Sequence, residues 1–121
     1  MKQKYIAVVG VSANESKFGH RIFKDLLSAD YNVDGVNIKG GTLFDKNIYR
    51  YLTQLPKRPD VALIVLHPDQ TEVVVDECIK LNIPEIWMQP GAESQNAIEK
   101  AKKAGINVIS KSCFMVQKGI W

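Results

Sequence analysis

Short apolar runs and amphipathic stretches alternate along this chain from its first residues to its last. The apolar run at 6–9 predicts a strand, and apolar residues at helical spacing predict a helix over about 19–29. A second strand is predicted at 32–38. The uninterrupted apolar run at 61–66 is typical of a strand that is covered on both of its faces.

The second half of the chain repeats this alternation. Asp69, with an acid three residues further on, predicts the start of another helix, and Asn82 predicts its end. Strands are predicted at 85–88 and 106–109, and the helix between them is expected to begin at the cap Ser94.

The segment between residues 40 and 59 is less regular. Residues 47–50 are a candidate edge strand, and 51–55 a candidate helical turn. Alternation of strands and helices favours right-handed βαβ units. We therefore predict an α/β fold of three layers, a doubly wound parallel sheet in one domain over residues 1–121.

Ligands of such sheets bind beyond the carboxyl ends of the strands, near the point where the strand order reverses. The loops that would meet there are 10–18, 38–41, 66–69, 89–93 and 110–113. This rule predicts where a site should lie, while the identity of the ligand has to come from the residues themselves.

The first of these loops has features suited to a phosphate. The small-residue turn Gly10-Val11-Ser12 exposes backbone N–H groups, and a helix with a basic start follows it. Lys17 and Arg21 add full positive charges to the partial charge of the helix N-terminus. The alternative is that Gly10 serves only the sharp turn and that both bases are surface residues.

The dinucleotide fingerprint G-x-G-x-x-G is not intact in this loop. Ser12 stands where the second glycine is expected and Glu15 where the third is expected. The second strand is followed by Lys39, where NAD-binding proteins place an acid. A base there favours a phosphorylated ribose, which leaves NADP and coenzyme A open. The alternative for Lys39 is an ordinary surface lysine.

Several segments, taken in order, resemble one known family. They are Gly10-Val11-Ser12 with Asn14, Val36-Asn37-Ile38-Lys39, Leu66-His67-Pro68, Trp87-Met88-Gln89-Pro90-Gly91 and the late Cys113. Together they are similar to the small stand-alone CoA-binding proteins, which are related to the N-terminal CoA-binding domain of the succinyl-CoA synthetase α subunit. The resemblance covers nearly the whole chain.

The resemblance implies a Rossmann-like sheet in the order 3-2-1-4-5-6, with a short third strand at the edge. It also implies a set of CoA-binding residues. Those expected at the phosphates are Gly10, Val11, Ser12, Ser16 and Lys17; at the adenosine 3′-phosphate end Asn37, Ile38 and Lys39; over the adenine or diphosphate Leu66, His67 and Pro68; and along the pantetheine arm Gln89 and Gly91.

The chain also departs from the family pattern at two points. The ligase relies on a phosphorylatable histidine in a following domain, and no such domain is expected within the sequence up to Trp121. The acid Glu15 lies beside the proposed phosphates.

Composition excludes several other classes of function. The 16 basic and 13 acidic side chains give a net charge of +3 and are scattered, which does not indicate nucleic acid. No apolar run is long enough to span a bilayer, and no signal peptide is evident, so a cytoplasmic location is expected. Cysteines and histidines occur in unrelated contexts, so no metal site is predicted.

Nucleophiles and bases are also sparse. His67 is interpreted as a turn residue, His20 as a surface residue and Cys78 as part of the core. Cys113 is either an unreactive thiol or a partner for a mixed disulfide with the CoA thiol. No catalytic residue is predicted.

The sequence therefore predicts a protein that binds CoA or an acyl-CoA and is non-catalytic on its own. The alternatives are a fragment of an NADP-binding oxidoreductase and the CoA-binding subunit of a larger acyl-CoA ligase. The apolar tail at 114–121 is expected either to fold back on the domain or to pack against a second copy or a partner subunit.

Overall fold

The computed structural model describes residues 4–121, which form one seven-stranded sheet with helices packed on both faces. The strands are β1 (Tyr5–Val9), β2 (Asn32–Val36), β3 (Thr42–Leu43), β4 (Lys46–Tyr49), β5 (Val61–Ile64), β6 (Glu85–Met88) and β7 (Asn107–Ile109). The helices are α1 (Phe18–Ser28), α2 (Pro68–Lys80), α3 (Gln95–Lys103) and α4 (Phe114–Gln117), with a 3-10 turn at Leu52–Gln54.

The strands lie in the order β3-β4-β2-β1-β5-β6-β7. When β3 is set aside, the six others, numbered along the chain, have the order 3-2-1-4-5-6 and are all parallel. The Rossmann-like prediction is thus confirmed. The antiparallel β3 is an addition that the sequence did not predict.

The sheet separates two apolar clusters. In β1, Ile6 and Val8 belong to the cluster beneath α1, whereas Ala7 and Val9 belong to the cluster beneath α2 and α3. All four residues of β5 are fully buried, as expected of a strand covered on both faces. Cys78 lies in the α2–α3 cluster, which confirms its assignment to the core.

The structure confirms one of the two predicted helix N-caps and corrects the other. Ser94 caps α3, since its side chain accepts a hydrogen bond from the Ala97 N–H. The predicted cap Asp69 is wrong, because α2 begins one residue earlier at Pro68, with His67 as its N-cap residue. Proline suits a first helical position because it has no N–H to leave unpaired, and Asp69 then lies favourably in the first turn.

A two-residue turn, Phe44-Asp45, joins β3 to β4, with Leu43 paired opposite Lys46. Both turn residues have positive φ, +52° at Phe44 and +62° at Asp45. Hairpin turns of this kind normally use asparagine or glycine. For a side chain as large as phenylalanine, this conformation costs about 1–2 kcal/mol.

The C-terminal tail folds back on the domain, which is one of its two predicted arrangements. Phe114 and Met115 are fully buried, and the Phe114 ring lies 5.0 Å from that of Trp87. The Trp121 indole donates a 2.7 Å hydrogen bond to the Asp25 carboxylate on α1. The tail is therefore part of the cluster beneath α1.

None of the helices within residues 4–121 is long and apolar enough to cross a membrane.

Candidate functional site

A cleft of about 320 Å³ opens beside the carboxyl ends of β1 and β2. One wall is the β1–α1 loop and the other is formed by the β2–β3 loop and the β3–β4 hairpin. The lining residues are Val11, Ser12, Ala13, Asn14, Lys17, Asn37, Lys39, Gly40, Thr42, Leu43 and Ile48. The cleft lies where ligands bind in doubly wound sheets.

The β1–α1 loop is anchored by its first two amides. The N–H groups of Gly10 and Val11 both donate to the Val36 carbonyl at the end of β2, at 2.9 and 3.3 Å. These two amides are therefore already used inside the protein. Within residues 4–121, the N–H groups of Ser12 and Ala13 make no hydrogen bond, which leaves them as the donors of this wall.

Two side chains set the direction of the peptides that carry these donors. The Asn37 amide donates to the Val11 carbonyl, and His20 Nδ1 donates to the Ser12 carbonyl at 2.9 Å. A trans peptide sets its C=O and N–H in opposite directions. The N–H of Ser12 therefore points away from Asn37, and that of Ala13 away from His20.

His20 is a correction to the sequence interpretation. It was expected at the surface, but only 6% of it is exposed. A buried imidazole needs a hydrogen-bond partner, and the Ser12 carbonyl supplies it. This partner comes from a loop whose shape could not be derived from the helical pattern.

The middle of the loop is braced by its own side chains. The Asn14 N–H donates to Ser12 Oγ at 3.0 Å, and Asn14 Oδ1 accepts from both the N–H and the hydroxyl of Ser16, at 3.0 and 2.7 Å. Ser16 is thus used within the loop and does not line the cleft.

Two lysines from different loops give the cleft its charge. Lys17 ends the β1–α1 loop as the N-cap residue of α1, and Lys39 follows β2. Neither forms an ion pair with another of the residues described, and no carboxylate lines the cleft. Glu15 is exposed and is absent from the lining. Two uncompensated cations in one concave site attract anions.

The structure places the other predicted residues away from this cleft. The Arg21 guanidinium lies over the Trp121 ring, 4.6 Å from its centroid, and 6.0 Å from the centroid of Phe18. Ile38 lies between two lining residues but is itself 67% exposed. Gly10 lies beneath the loop against the Val65 carbonyl.

The loops after β5 and β6 carry the remaining predicted residues. Leu66 and His67 lie between β5 and α2, and Pro68 is the first residue of α2. Gln89 is buried, with its amide donating to Cys113 Sγ at 3.3 Å and its carbonyl accepting from the Phe114 N–H at 2.7 Å.

These two bonds direct Gln89 to the C-terminal helix. The exposed Gly91 donates its N–H to the Glu93 carboxylate. Thus neither residue of the proposed pantetheine path reaches the cleft.

The cleft also contains residues that sequence reasoning missed. Thr42 and Leu43 come from the unpredicted strand β3, Ile48 from β4, which the candidate edge strand at 47–50 predicted, and Ala13 from the β1–α1 loop. A signal for this wall was the pair Gly40-Gly41, whose φ values of +65° and +96° mark a turn immediately before the hairpin.

The two cysteines are expected to react very differently with an alkylating reagent. Burial, assisted by the nearby Glu77 charge, raises the pKa of the Cys78 thiol to about 12. Cys113 is partly exposed. Because the thiolate is the nucleophile, one modification, at Cys113, is expected in the native protein and two after unfolding, as measured by mass spectrometry. The C113S variant should then show none in the native state; native modification of Cys78 would contradict this.

The structure is a Rossmann-like α/β domain with a cationic cleft at the carboxyl ends of its strands, and comparison with known proteins identifies its family. Residues 4–119 match the family described as "CoA binding domain", and the chain belongs to that family.

Among its relatives, the α subunit of the ADP-forming acetate–CoA ligase I of Pyrococcus furiosus is 28% identical over 93% of this chain. The chain spans 28% of the length of that subunit.

Solved structures of related proteins share the fold of this chain. A conserved hypothetical protein from Pyrococcus furiosus superposes with a TM-score of 0.90 at 36% identity, over 94% of this chain and 98% of that one. An apo acetyl-coenzyme A synthetase from Ca. Korarchaeum cryptofilum superposes with a TM-score of 0.77 at 28% identity, over 88% of this chain and 25% of that one. The same fold thus occurs as a small protein and within a larger synthetase.

Proposed function

We propose that this chain binds coenzyme A or an acyl-CoA in the cleft between the β1–α1 loop and the β3–β4 hairpin, and is non-catalytic on its own. The observation that carries the proposal is the convergence of Lys17 and Lys39 on one cleft. Membership of the CoA binding domain family supports the choice of ligand. A cytoplasmic location belongs to the same proposal.

The proposal gives each group a role. The N–H groups of Ser12 and Ala13, with Lys17 and the N-terminus of α1, would hold the diphosphate. Lys39 would neutralise the 3′-phosphate of the ribose, with Asn37 and Ile38 beside it. CoA supplies a thiol that carries acyl groups, and the protein supplies recognition.

The other predicted residues belong to the remainder of the ligand in this proposal. A CoA arm that leaves the cleft along the carboxyl ends of β5 and β6 would pass the loops of Leu66, His67 and Pro68 and then of Gln89 and Gly91. Arg21 would contact the ligand only if its guanidinium moved away from the Trp121 ring.

The side chains of the cleft favour binding over catalysis. Its polar members are lysine, asparagine, serine and threonine, and the lining contains no histidine, cysteine or carboxylate. Histidine is the commonest general acid or base, followed by carboxylates, lysine, tyrosine and cysteine, and of these types the lining contains only lysine.

Calorimetric titration with CoA, dephospho-CoA, NADP and NAD tests the proposal directly. CoA is expected to bind most tightly, and NAD, which lacks the extra phosphate, weakly. Tighter binding of NADP than of CoA would instead support an NADP-dependent oxidoreductase fragment.

Replacing Lys39 with alanine is expected to weaken CoA binding about tenfold, the usual effect of losing one charge-assisted contact. Binding of dephospho-CoA should change little, because it lacks the 3′-phosphate. The K24A variant is the matched control, since Lys24 is an exposed lysine on α1 outside the cleft. Equal losses for both ligands would remove Lys39 from the phosphate site.

A second candidate function is the CoA-binding subunit of a larger acyl-CoA ligase. The likeness to the acetate–CoA ligase α subunit, of which this chain spans 28%, favours it. Val116 and Trp121 remain 58% and 38% exposed and would offer a contact to a partner or a second copy. Purification at native expression, followed by size-exclusion chromatography, would show a co-eluting subunit or a dimer if this function holds.

A further inference from the structure

We propose that His20 and Phe44 are positioning residues. They fix the Ser12–Ala13 peptide of the β1–α1 loop and hold the two walls of the cleft in a constant relative position. The inference rests on the proposed CoA site for its effect on binding. Its effect on the loop can be measured without any ligand.

His20 acts on the loop through one hydrogen bond. Its Nδ1 donates to the Ser12 carbonyl at 2.9 Å, and the same peptide carries the Ala13 N–H on its opposite side. Loss of this bond would allow the peptide to rotate and to present a carbonyl oxygen where an anion needs a donor.

Phe44 holds His20 in the orientation that makes this bond. Its ring meets the imidazole edge-on, with centroids 5.1 Å apart and planes at 62°. The centroid of the Phe23 ring lies 6.2 Å from that of Phe44. With only 6% of His20 exposed, the imidazole is confined by these neighbours.

The backbone of Phe44 supports this role. A phenylalanine at φ +52° occupies a turn position that glycine or asparagine would occupy more easily. The ring is also 41% exposed, so burial alone is a weak reason for a large side chain there. Glycine or asparagine would fit the turn with less strain but could not make the ring contact with His20.

Phe44 also connects the two walls. It lies at the tip of the hairpin that contributes Thr42, Leu43 and Ile48 to the cleft, and through His20 it reaches the Ser12 carbonyl of the opposite wall. Movement of the hairpin is therefore coupled to the orientation of the loop donors.

Three variants test this chain of contacts. H20L removes the donor; H20N restores a donor nitrogen at the position of Nδ1; and F44N removes the ring while suiting the left-handed turn. F18N is the matched control. Phe18 is an exposed aromatic residue on α1, the helix that carries His20, and its ring lies near Trp121. Amide hydrogen exchange by NMR over residues 12–17 and calorimetry with CoA are the two readouts.

We expect exchange at the hydrogen-bonded loop amides of Asn14, Ser16 and Lys17 to accelerate in H20L and F44N. CoA affinity should fall about tenfold in both variants. H20N should recover most of the loss, and F18N should match the wild type. Unchanged loop exchange in F44N and H20L would overturn the inference, as would failure of H20N to restore the loop. If the wild type does not bind CoA, the proposed function fails, whereas the exchange data still decide the positioning role.

Discussion

Replacing Gly10 with alanine is expected to lower the free energy of unfolding by about 3 kcal/mol, the sum of a strained backbone and an overpacked contact. Gly10 has a φ of +110°, and a Cβ built there would lie 2.1 Å from the Val65 carbonyl oxygen. That oxygen belongs to the backbone at the end of β5, which cannot rotate aside as a side chain would. Urea denaturation measures the effect.

Gly91 provides the matched control for this change. Its φ of +94° is similar, but a Cβ there would meet no atom within 4 Å. G91A should therefore lose only about 1 kcal/mol, from the backbone conformation alone. Equal losses in G10A and G91A would show that the close approach of the β1–α1 loop to β5 does not constrain the fold.

Replacing Phe114 with alanine is expected to lower the free energy of unfolding by about 4 kcal/mol, as for other fully buried aromatic residues. The ring is completely buried and meets Trp87 edge-on at 5.0 Å and Tyr31 at 6.4 Å. Urea denaturation, together with size-exclusion chromatography, measures both the stability and the oligomeric state.

Val116, two residues further along the same short helix, is 58% exposed. V116A should change the unfolding free energy by no more than about 0.5 kcal/mol. If F114A instead left stability intact and altered the oligomeric state, the tail would be packing against a second copy in solution.

The parallel core of the sheet could be predicted because burial leaves a direct trace in sequence. A strand such as β5, covered on both faces, needs an apolar residue at every position, and the run beginning at Val61 has this form. Likewise, Ser94 before an amphipathic stretch predicted the cap of α3 because the cap is made by that side chain itself.

The hairpin and the role of His20 were not predictable by the same reasoning. Phe44-Asp45 contains neither glycine nor asparagine, so the usual turn signal is missing. His20 is buried because a carbonyl eight residues earlier meets its ring, and that contact depends on the loop geometry. In both cases tertiary contacts outweigh the local preference.

The candidate site likewise contains residues that could be predicted from the sequence and residues that could not. Lys17 and Lys39 follow the rule that ligands bind at the carboxyl ends of strands, and both line the cleft. Arg21, one helical turn beyond Lys17, is predicted at the same site from its positive charge near the start of α1. Its guanidinium instead stacks on Trp121, a contact that local spacing does not encode.

The two apolar clusters differ in their relation to the cleft. Val11, Leu43 and Ile48 line it and belong to the α1 side or pack against that side, whereas no residue of the α2–α3 cluster lines it. The sheet therefore separates the apolar layer that lines the cleft from the layer that does not. Volume-conserving substitutions among the buried residues beneath α2 and α3 should thus change stability while leaving the shape of the cleft unaltered.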